Sequence, residues 1–231
     1  MKSPVWAALF DWDGVIIDSG SAHKRSWERL AEEAGLPLPE DHFLRGFGMR
    51  NEAIIPDLLH WTQDPDRIRA LSLRKEALYR DIVREEGVTV LPGVEPYLQS
   101  LVDARIPRVV GSSTHRDNIL LILDVTGLSR YFSLLVTSED VRRGKPDPEV
   151  FLKAATLAAT APVRCVVFED AHHGIEAAKA AGMGAVGVLT THPGGKLLGA
   201  DRLVTRLDEL PLDGRPPLDP FPLPQVSPKD S

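Results

Sequence analysis

Leu9-Phe10-Asp11-Trp12-Asp13-Gly14-Val15 joins an apolar run to two carboxylates one residue apart. Val5-Trp6-Ala7-Ala8-Leu9-Phe10 reads as a buried strand, and Gly14 permits a sharp turn just after the acids. A strand that stops there aims acid groups into solvent at a sheet edge. Carboxylates this close repel each other, so a divalent metal or a proton must relieve them. Three further polar clusters follow predicted strands, where open α/β sheets hold their ligands. Gly111-Ser112-Ser113-Thr114 offers hydroxyl and amide groups to phosphate oxygens, and reads equally as an N-cap for a helix beginning near Asp117. Gly144-Lys145-Pro146-Asp147-Pro148 holds a compact ammonium suited to phosphate and to offsetting a nucleophilic carboxylate, or else a solvated surface lysine. Phe168-Glu169-Asp170-Ala171-His172-His173-Gly174 is again a strand running into acids, which also suits a helix N-cap.

The four clusters share one interpretation. Asp11, Asp13 and Asp170 can supply oxygen ligands to Mg²⁺, which binds one or two carboxylates plus substrate phosphate and keeps several waters. With the phosphate dianion neutralised by Mg²⁺, Lys145 and the Ser112 loop, one aspartate can attack phosphorus in line and form an aspartyl-phosphate. The second acid then protonates the leaving oxygen.

The elements that must position these groups alternate along the chain. Ser21 to Ala34 reads as an amphipathic helix closed by Gly35, followed by helical segments around Asn51 to Leu59, with Pro56 as an interruption, and from Pro65 through Arg84. Helix and strand then alternate: a helix to Ala104, strand Arg108 to Gly111, a helix from Asp117, and a strand near Leu134 to Val136. A helix from Pro148, strand Val163 to Phe168, helix Gly174 to Ala181 and strand Ala185 to Leu189 complete the series. This predicts an α/β fold, a parallel sheet covered by helices and interrupted by a smaller helical insert over its active edge. The expected division is a core of residues 1–17 and 91–210, a helical cap of residues 18–90, and a Pro-rich tail over residues 211–231, extended or disordered and without a catalytic role.

Composition narrows the function classes. The 231 residues suffice for a sizeable core, and a net charge of −6 without a long basic run argues against a nucleic-acid surface. No stretch approaches the roughly 18 apolar residues of a membrane span, and the first strand begins too early for a secretory signal, so a cytoplasmic location is expected. Cys165 is the only cysteine and reads as strand core.

The ordered motifs resemble the haloacid dehalogenase superfamily, in its helical-capped phosphatase and phosphomutase branch, over about residues 5 to 210. The resemblance rests on Phe10-Asp11-Trp12-Asp13-Gly14-Val15 with Asp18-Ser19, Gly111-Ser112-Ser113, Gly144-Lys145-Pro146-Asp147-Pro148, and Phe168-Glu169-Asp170 with Gly174-Ile175 and Ala180-Ala181-Gly182-Met183. It implies a Rossmann-like core with Asp11 as nucleophile, Asp13 as general acid and base, and Ser112 and Lys145 on the transferring phosphoryl group. Ser113 is placed with the substrate-binding residues. Asp170 would complete a Mg²⁺ site with Asp11, the Asp13 backbone carbonyl and, from the edge, Glu169. Dehalogenases and phosphonate hydrolases of the superfamily lack the second acid, so Asp13 selects phosphate-ester chemistry. Arg50 stands near the cap loop where phosphonate hydrolases carry an imine-forming lysine, and arginine cannot deprotonate to form that imine.

The expected activity is Mg²⁺-dependent hydrolysis of a small phosphorylated metabolite, such as a sugar phosphate, by a monomer. Two alternatives are a mutase similar to β-phosphoglucomutase and a non-catalytic ligand-binding relative. His23, Arg50 and Lys75 with Tyr79 follow the mutase order and become candidate substrate-binding residues, although phosphatases of the branch share a His and an Arg there. Lys75 reads equally as a surface residue, and Trp27 as cap core. His172 and His173 replace residues that are small or polar in the family and alter the rim. Adjacent histidines without further ligands do not suggest zinc.

Overall fold

The computed structural model describes residues 6–46, 49–191 and 197–218. The chain opens with β1 (Ala7–Phe10), followed by the short β2 (Ile17–Asp18). Four helices follow: α1 (Gly20–Ala34), α2 (His42–Gly46), α3 (Asn51–Ala53) and α4 (Pro65–Glu86). After β3 (Thr89–Val90) come α5 (Val94–Asp103), β4 (Arg108–Gly111), α6 (Arg116–Thr126), β5 (Leu135–Val136) and α7 (Glu149–Leu157). The order ends with β6 (Cys165–Glu169), α8 (His172–Ala180), β7 (Gly184–Val188) and β8 (Arg202–Val204).

Six strands form a parallel sheet in the order β5-β4-β1-β6-β7-β8. β1 is central, with Leu9 level with Val109 on one side and Val167 on the other. Successive side chains of a strand point to opposite faces, so β1 serves two cores. Ala8 and Phe10 pack with α5 and α6, while Ala7 and Leu9 pack with α7 and α8. Phe10 stacks on Phe168 at 4.5 Å between ring centroids and meets Phe132 edge-on at 5.8 Å. Burying each such side chain contributes about 1.5–3 kcal/mol, which fixes the strand ends that carry the acids. Cys165 lies in this core, where burial pushes its thiol pKa up to about 12, so it stays protonated.

The helical segment has a core of its own. Trp27, Leu30, Ile55, Trp61 and Leu78 pack together, with Trp27 edge-on to Trp61 at 5.8 Å. Asp64 caps α4 by accepting from the Asp66 amide at 3.1 Å, and Pro65 sits in the first turn, where its missing N–H costs nothing. Gly35 ends α1 in the left-handed region at φ 62°. Around Pro56 the chain widens into a π turn over Ile54–Leu58 instead of breaking. β2 and β3 pair antiparallel where the chain leaves and re-enters the sheet-bearing part.

Three features were not anticipated. α2 has five residues and no clear apolar period, β8 has three residues at the sheet edge, and the β2–β3 pair is two residues long, so none shows a readable pattern. The start of the Pro-rich segment also differs from an extended tail. Trp6 Nε1 donates to the Gly214 carbonyl at 3.0 Å, Arg202 donates to the Pro217 carbonyl at 2.9 Å, and Leu218 is buried in the core. Residues 219–231 of that segment lie outside the described residues.

Candidate active site

The C-terminal ends of β1 and β6 set the first acids. Beyond β1 the Asp11 amide still donates to the Phe168 carbonyl at 2.9 Å, which fixes the residue just past the strand. Lys145, from the loop before α7, places its ammonium between Asp11 Oδ1 at 2.6 Å and Glu169 Oε1 at 2.7 Å. It also lies 4.9 Å from the centroid of the Phe151 ring. Burial disfavours the Lys145 ammonium, and the two carboxylates outweigh it, so its pKa stands above the ordinary lysine value. The surface-lysine reading is excluded.

Asp11, Glu169 and Asp170 each offer one oxygen within 4.8 Å of the others. Burial raises the Asp11 pKa to about 7 despite Lys145, and burial with Glu169 and Asp11 raises that of Asp170. Three buried acids facing one ammonium are an incomplete electrostatic set, and this donor set of hard oxygens fits Mg²⁺. Two glycines keep the space open. At Gly14 (φ 77°) a Cβ would strike the Asp170 carboxylate and the Thr191 hydroxyl, and at Gly174 it would strike the Glu169 carboxylate. Glu169 also accepts from the Ala171 amide at 2.9 Å, so it does part of a capping residue's work besides holding Lys145.

The Asp13 carboxylate stands apart from those three. It accepts from the hydroxyls of Ser19 and Thr114, and His23 Nε2 lies 3.5 Å from its Oδ1. Burial opposes its charge, and these partners reverse the effect and lower its pKa. Ser112 is buried, its amide on the Val136 carbonyl at 3.0 Å and its hydroxyl oxygen accepting from the Thr114 amide at 3.1 Å. It is therefore a turn residue and not the N-cap of α6, a position held by His115.

From the helical side, His23 stacks on Tyr79 at 4.1 Å, and its Nδ1 lies 2.8 Å from Lys75 Nζ. An ammonium only donates, so Nδ1 accepts and the proton of a neutral His23 sits on Nε2, facing Asp13. Lys75 is 2% exposed and also donates to Glu76 Oε1 at 3.0 Å. Glu76 accepts from Asn51 at 2.7 Å and from Asn118 of α6, which ties α3 and α4 to the sheet-bearing part. Burial opposes the Glu76 carboxylate, but Lys75 and Asn51 overcome it and bring its pKa down to about 2. Arg50 crosses the same boundary and donates to the Ser138 carbonyl at 2.6 Å.

A cleft of about 630 Å³ lies between the two sides. It brings together Asp11, Asp13, Ser112, Ser113, Lys145, Glu169 and Asp170 with His23, Arg50 and Lys75. Trp27 lines it as well as serving the helical core, and His173 lies on its wall. The family model for haloacid dehalogenase-like hydrolases matches residues 8–188, from β1 through β7. The chain is a haloacid dehalogenase-like hydrolase. It is 38% identical over 206 residues to the chloroplastic 5-amino-6-(5-phospho-D-ribitylamino)uracil phosphatase of Arabidopsis thaliana, covering 88% of this chain and 55% of that protein. The chain thus spans about half the length of that relative. It is 32% identical to the β-phosphoglucomutase of Bacillus subtilis, over 90% of this chain and 92% of that protein. Among solved structures, a family IA haloacid dehalogenase hydrolase from Entamoeba histolytica superposes with a TM-score of 0.82 at 25% identity, covering 90% of this chain and 96% of that one.

The cleft of this hydrolase also holds residues that the motifs did not single out for the site. Thr191 donates to Asp170 and Thr190 to the Gly14 carbonyl. Both follow β7, so the strand-end rule that found the other clusters could have found them. Thr114, at the end of the Gly111-Ser112-Ser113-Thr114 cluster, donates to Asp13. Glu76 left no signal, because a Lys-Glu pair on a helix reads as a solvated face.

Proposed function

We propose that this hydrolase is a Mg²⁺-dependent phosphatase of a small phosphorylated metabolite, a sugar phosphate or a similar polyol phosphate, acting through an aspartyl-phosphate on Asp11. The observation that carries this reading is the Asp11 carboxylate gripped by Lys145 beside Glu169 and Asp170, with Asp13 held separately two residues on. Asp11, Asp170, the Asp13 backbone carbonyl and, from the edge, Glu169 would hold the ion. Once bound, Mg²⁺ supplies positive charge that lets a carboxylate approach a phosphate dianion.

Lys145 fixes Asp11 through Oδ1 and, with Ser112 and Ser113, binds the phosphoryl oxygens. Asp11 forms its bond to phosphorus as the bond to the leaving oxygen breaks, and Asp13 gives that oxygen a proton. Water then attacks the same phosphorus, Asp13 takes a proton from that water and so regains the acid form, and Asp11 is released with inorganic phosphate. Held by Ser19, Thr114 and His23, Asp13 is a carboxylate, the form required for the second step. Donating a proton in the first step requires it to exchange those partners. His23, oriented by Lys75, keeps Asp13 in place.

The test is hydrolysis of p-nitrophenyl phosphate. Turnover should require Mg²⁺, stop with EDTA, return with excess Mg²⁺ and vanish in Asp11→Asn. Turnover retained in that variant would overturn the nucleophile assignment. A mutase reading draws on the Bacillus subtilis relative and on Arg50 in the cleft wall. It requires glucose 6-phosphate from β-glucose 1-phosphate with a trace of the bisphosphate, and free phosphate alone would reject it.

A further inference from the structure

A second phosphate in the cleft would need donors beyond those around Lys145. Helix N-terminal amides, hydroxyls, histidine and arginine are the groups that supply them. One such set stands beside Thr114: the first amide of α6, next in the chain to His115, and then the His115 ring, the Ser138 hydroxyl and the Arg50 guanidinium, whose residues line the cleft wall. The first three are occupied by one side chain. Glu139 accepts from His115 Nδ1 at 3.0 Å, from the Arg116 amide at 3.1 Å and 3.2 Å through its two oxygens, and from Ser138 Oγ at 3.0 Å. Arg50 donates to the carbonyl of Ser138, next to Glu139, and the Arg116 guanidinium is paired with Asp140 at 2.6 Å. Lys75 offers no substitute, being buried against Glu76 and His23.

We infer that Glu139 restricts this cleft to substrates bearing one phosphate, because its carboxylate occupies the donors that a second phosphate would use. The inference rests on the phosphatase reading and sharpens it to a substrate class. Glu139 is half-exposed, so its charge faces what enters. A second phosphate meets like charge there, whereas a remainder carrying hydroxyl or amino groups can donate to the same carboxylate. The class that fits is a monophosphate of a polyol or amino-polyol, with a neutral or cationic remainder.

The experiment compares fructose 1-phosphate with fructose 1,6-bisphosphate, which share the phosphate to be cleaved. Wild type should show a kcat/KM for the bisphosphate at least about tenfold below that for the monophosphate, and Glu139→Gln should raise the ratio of the two about tenfold. Equal turnover of both by wild type, or a ratio unmoved by Glu139→Gln, would overturn the inference. Calorimetric titration of fructose 1,6-bisphosphate into Asp11→Asn and Asp11→Asn/Glu139→Gln gives a readout that needs no turnover. Binding should tighten about tenfold in the double variant, and unchanged binding overturns the inference. Thermal melts establish that each variant folds, with Glu139→Ser as the replacement if the glutamine variant does not. Absence of p-nitrophenyl phosphate hydrolysis by wild type would instead sink the phosphatase reading, with the titration still deciding the role of Glu139.

Discussion

On the sheet side of the cleft, Asp11 and Glu169 converge on one ammonium, Lys145, with the Asp170 carboxylate beside them. On the helical side, Lys75 and Glu76 form a pair in which the remaining capacity of the glutamate is met by the neutral amides of Asn51 and Asn118. Both groups are buried, yet only the helical one is electrostatically closed. The sheet side keeps more negative charge than its own cation can balance, and burial with mutual repulsion raises the pKa values of Asp11 and Asp170. Buried charge left unbalanced is costly, so a cluster of this kind needs something from outside, and a divalent cation with a phosphate meets that need. A closed pair needs nothing further, and its role is to orient His23 and to join helix to sheet.

This contrast can be broken from either side. Beyond the loss of turnover in Asp11→Asn, the largest effect is expected at Asp13, where Asp13→Asn removes the proton-transfer group and should lower kcat about 10²–10⁴-fold with little change in the melting curve. A comparable stability loss without a rate loss would show that Asp13 is structural. Next, Lys75→Met leaves Glu76 buried without its cation and should cost about 3 kcal/mol of stability, measured by urea unfolding. An unchanged unfolding midpoint would mean that the amides alone satisfy Glu76. On the sheet side, Gly174→Ala should displace the Glu169 carboxylate and weaken Mg²⁺ affinity about 10–100-fold, read from the Mg²⁺ dependence of turnover.

The smallest effect concerns pH. The folded-state pKa of Glu76, about 2, lies below its ordinary value of 4.5. Its contribution to stability is therefore full above about 4.5 and is lost as pH falls toward about 2. Glu76→Gln should flatten that part of the profile of Tm against pH relative to wild type. Parallel profiles would remove Glu76 as the source of the acid sensitivity.

The sheet side was the more legible of the two for a physical reason. Strand ends are marked by an apolar run that stops, so Asp11, Ser112 and Asp170 could be located from local pattern, Lys145 from the Gly-Lys-Pro-Asp-Pro run before α7, and the strand order then brought them together. The helical side gives no such mark. Lys75 and Glu76 look like any polar helix face, and only the packing of α1, α4 and α6 shows that they are interior. Trp27 was readable as core from its type, but its second role on the cleft wall depends on where α1 crosses α4.

The sequence by itself determined the alternation of strands and helices, the helical insertion after the first strand, the acids at the strand ends and the lysine of the loop before α7, because those follow from period and punctuation over a few neighbouring residues. The tertiary structure alone decided which way each carboxylate turned. Asp11 and Asp13 are separated by one residue, yet Asp11 faces Lys145 from the loop before α7, while Asp13 faces Ser19, Thr114 and His23. Their partners lie up to 134 positions away along the chain, and the environment that divides their roles exists only once the chain has folded.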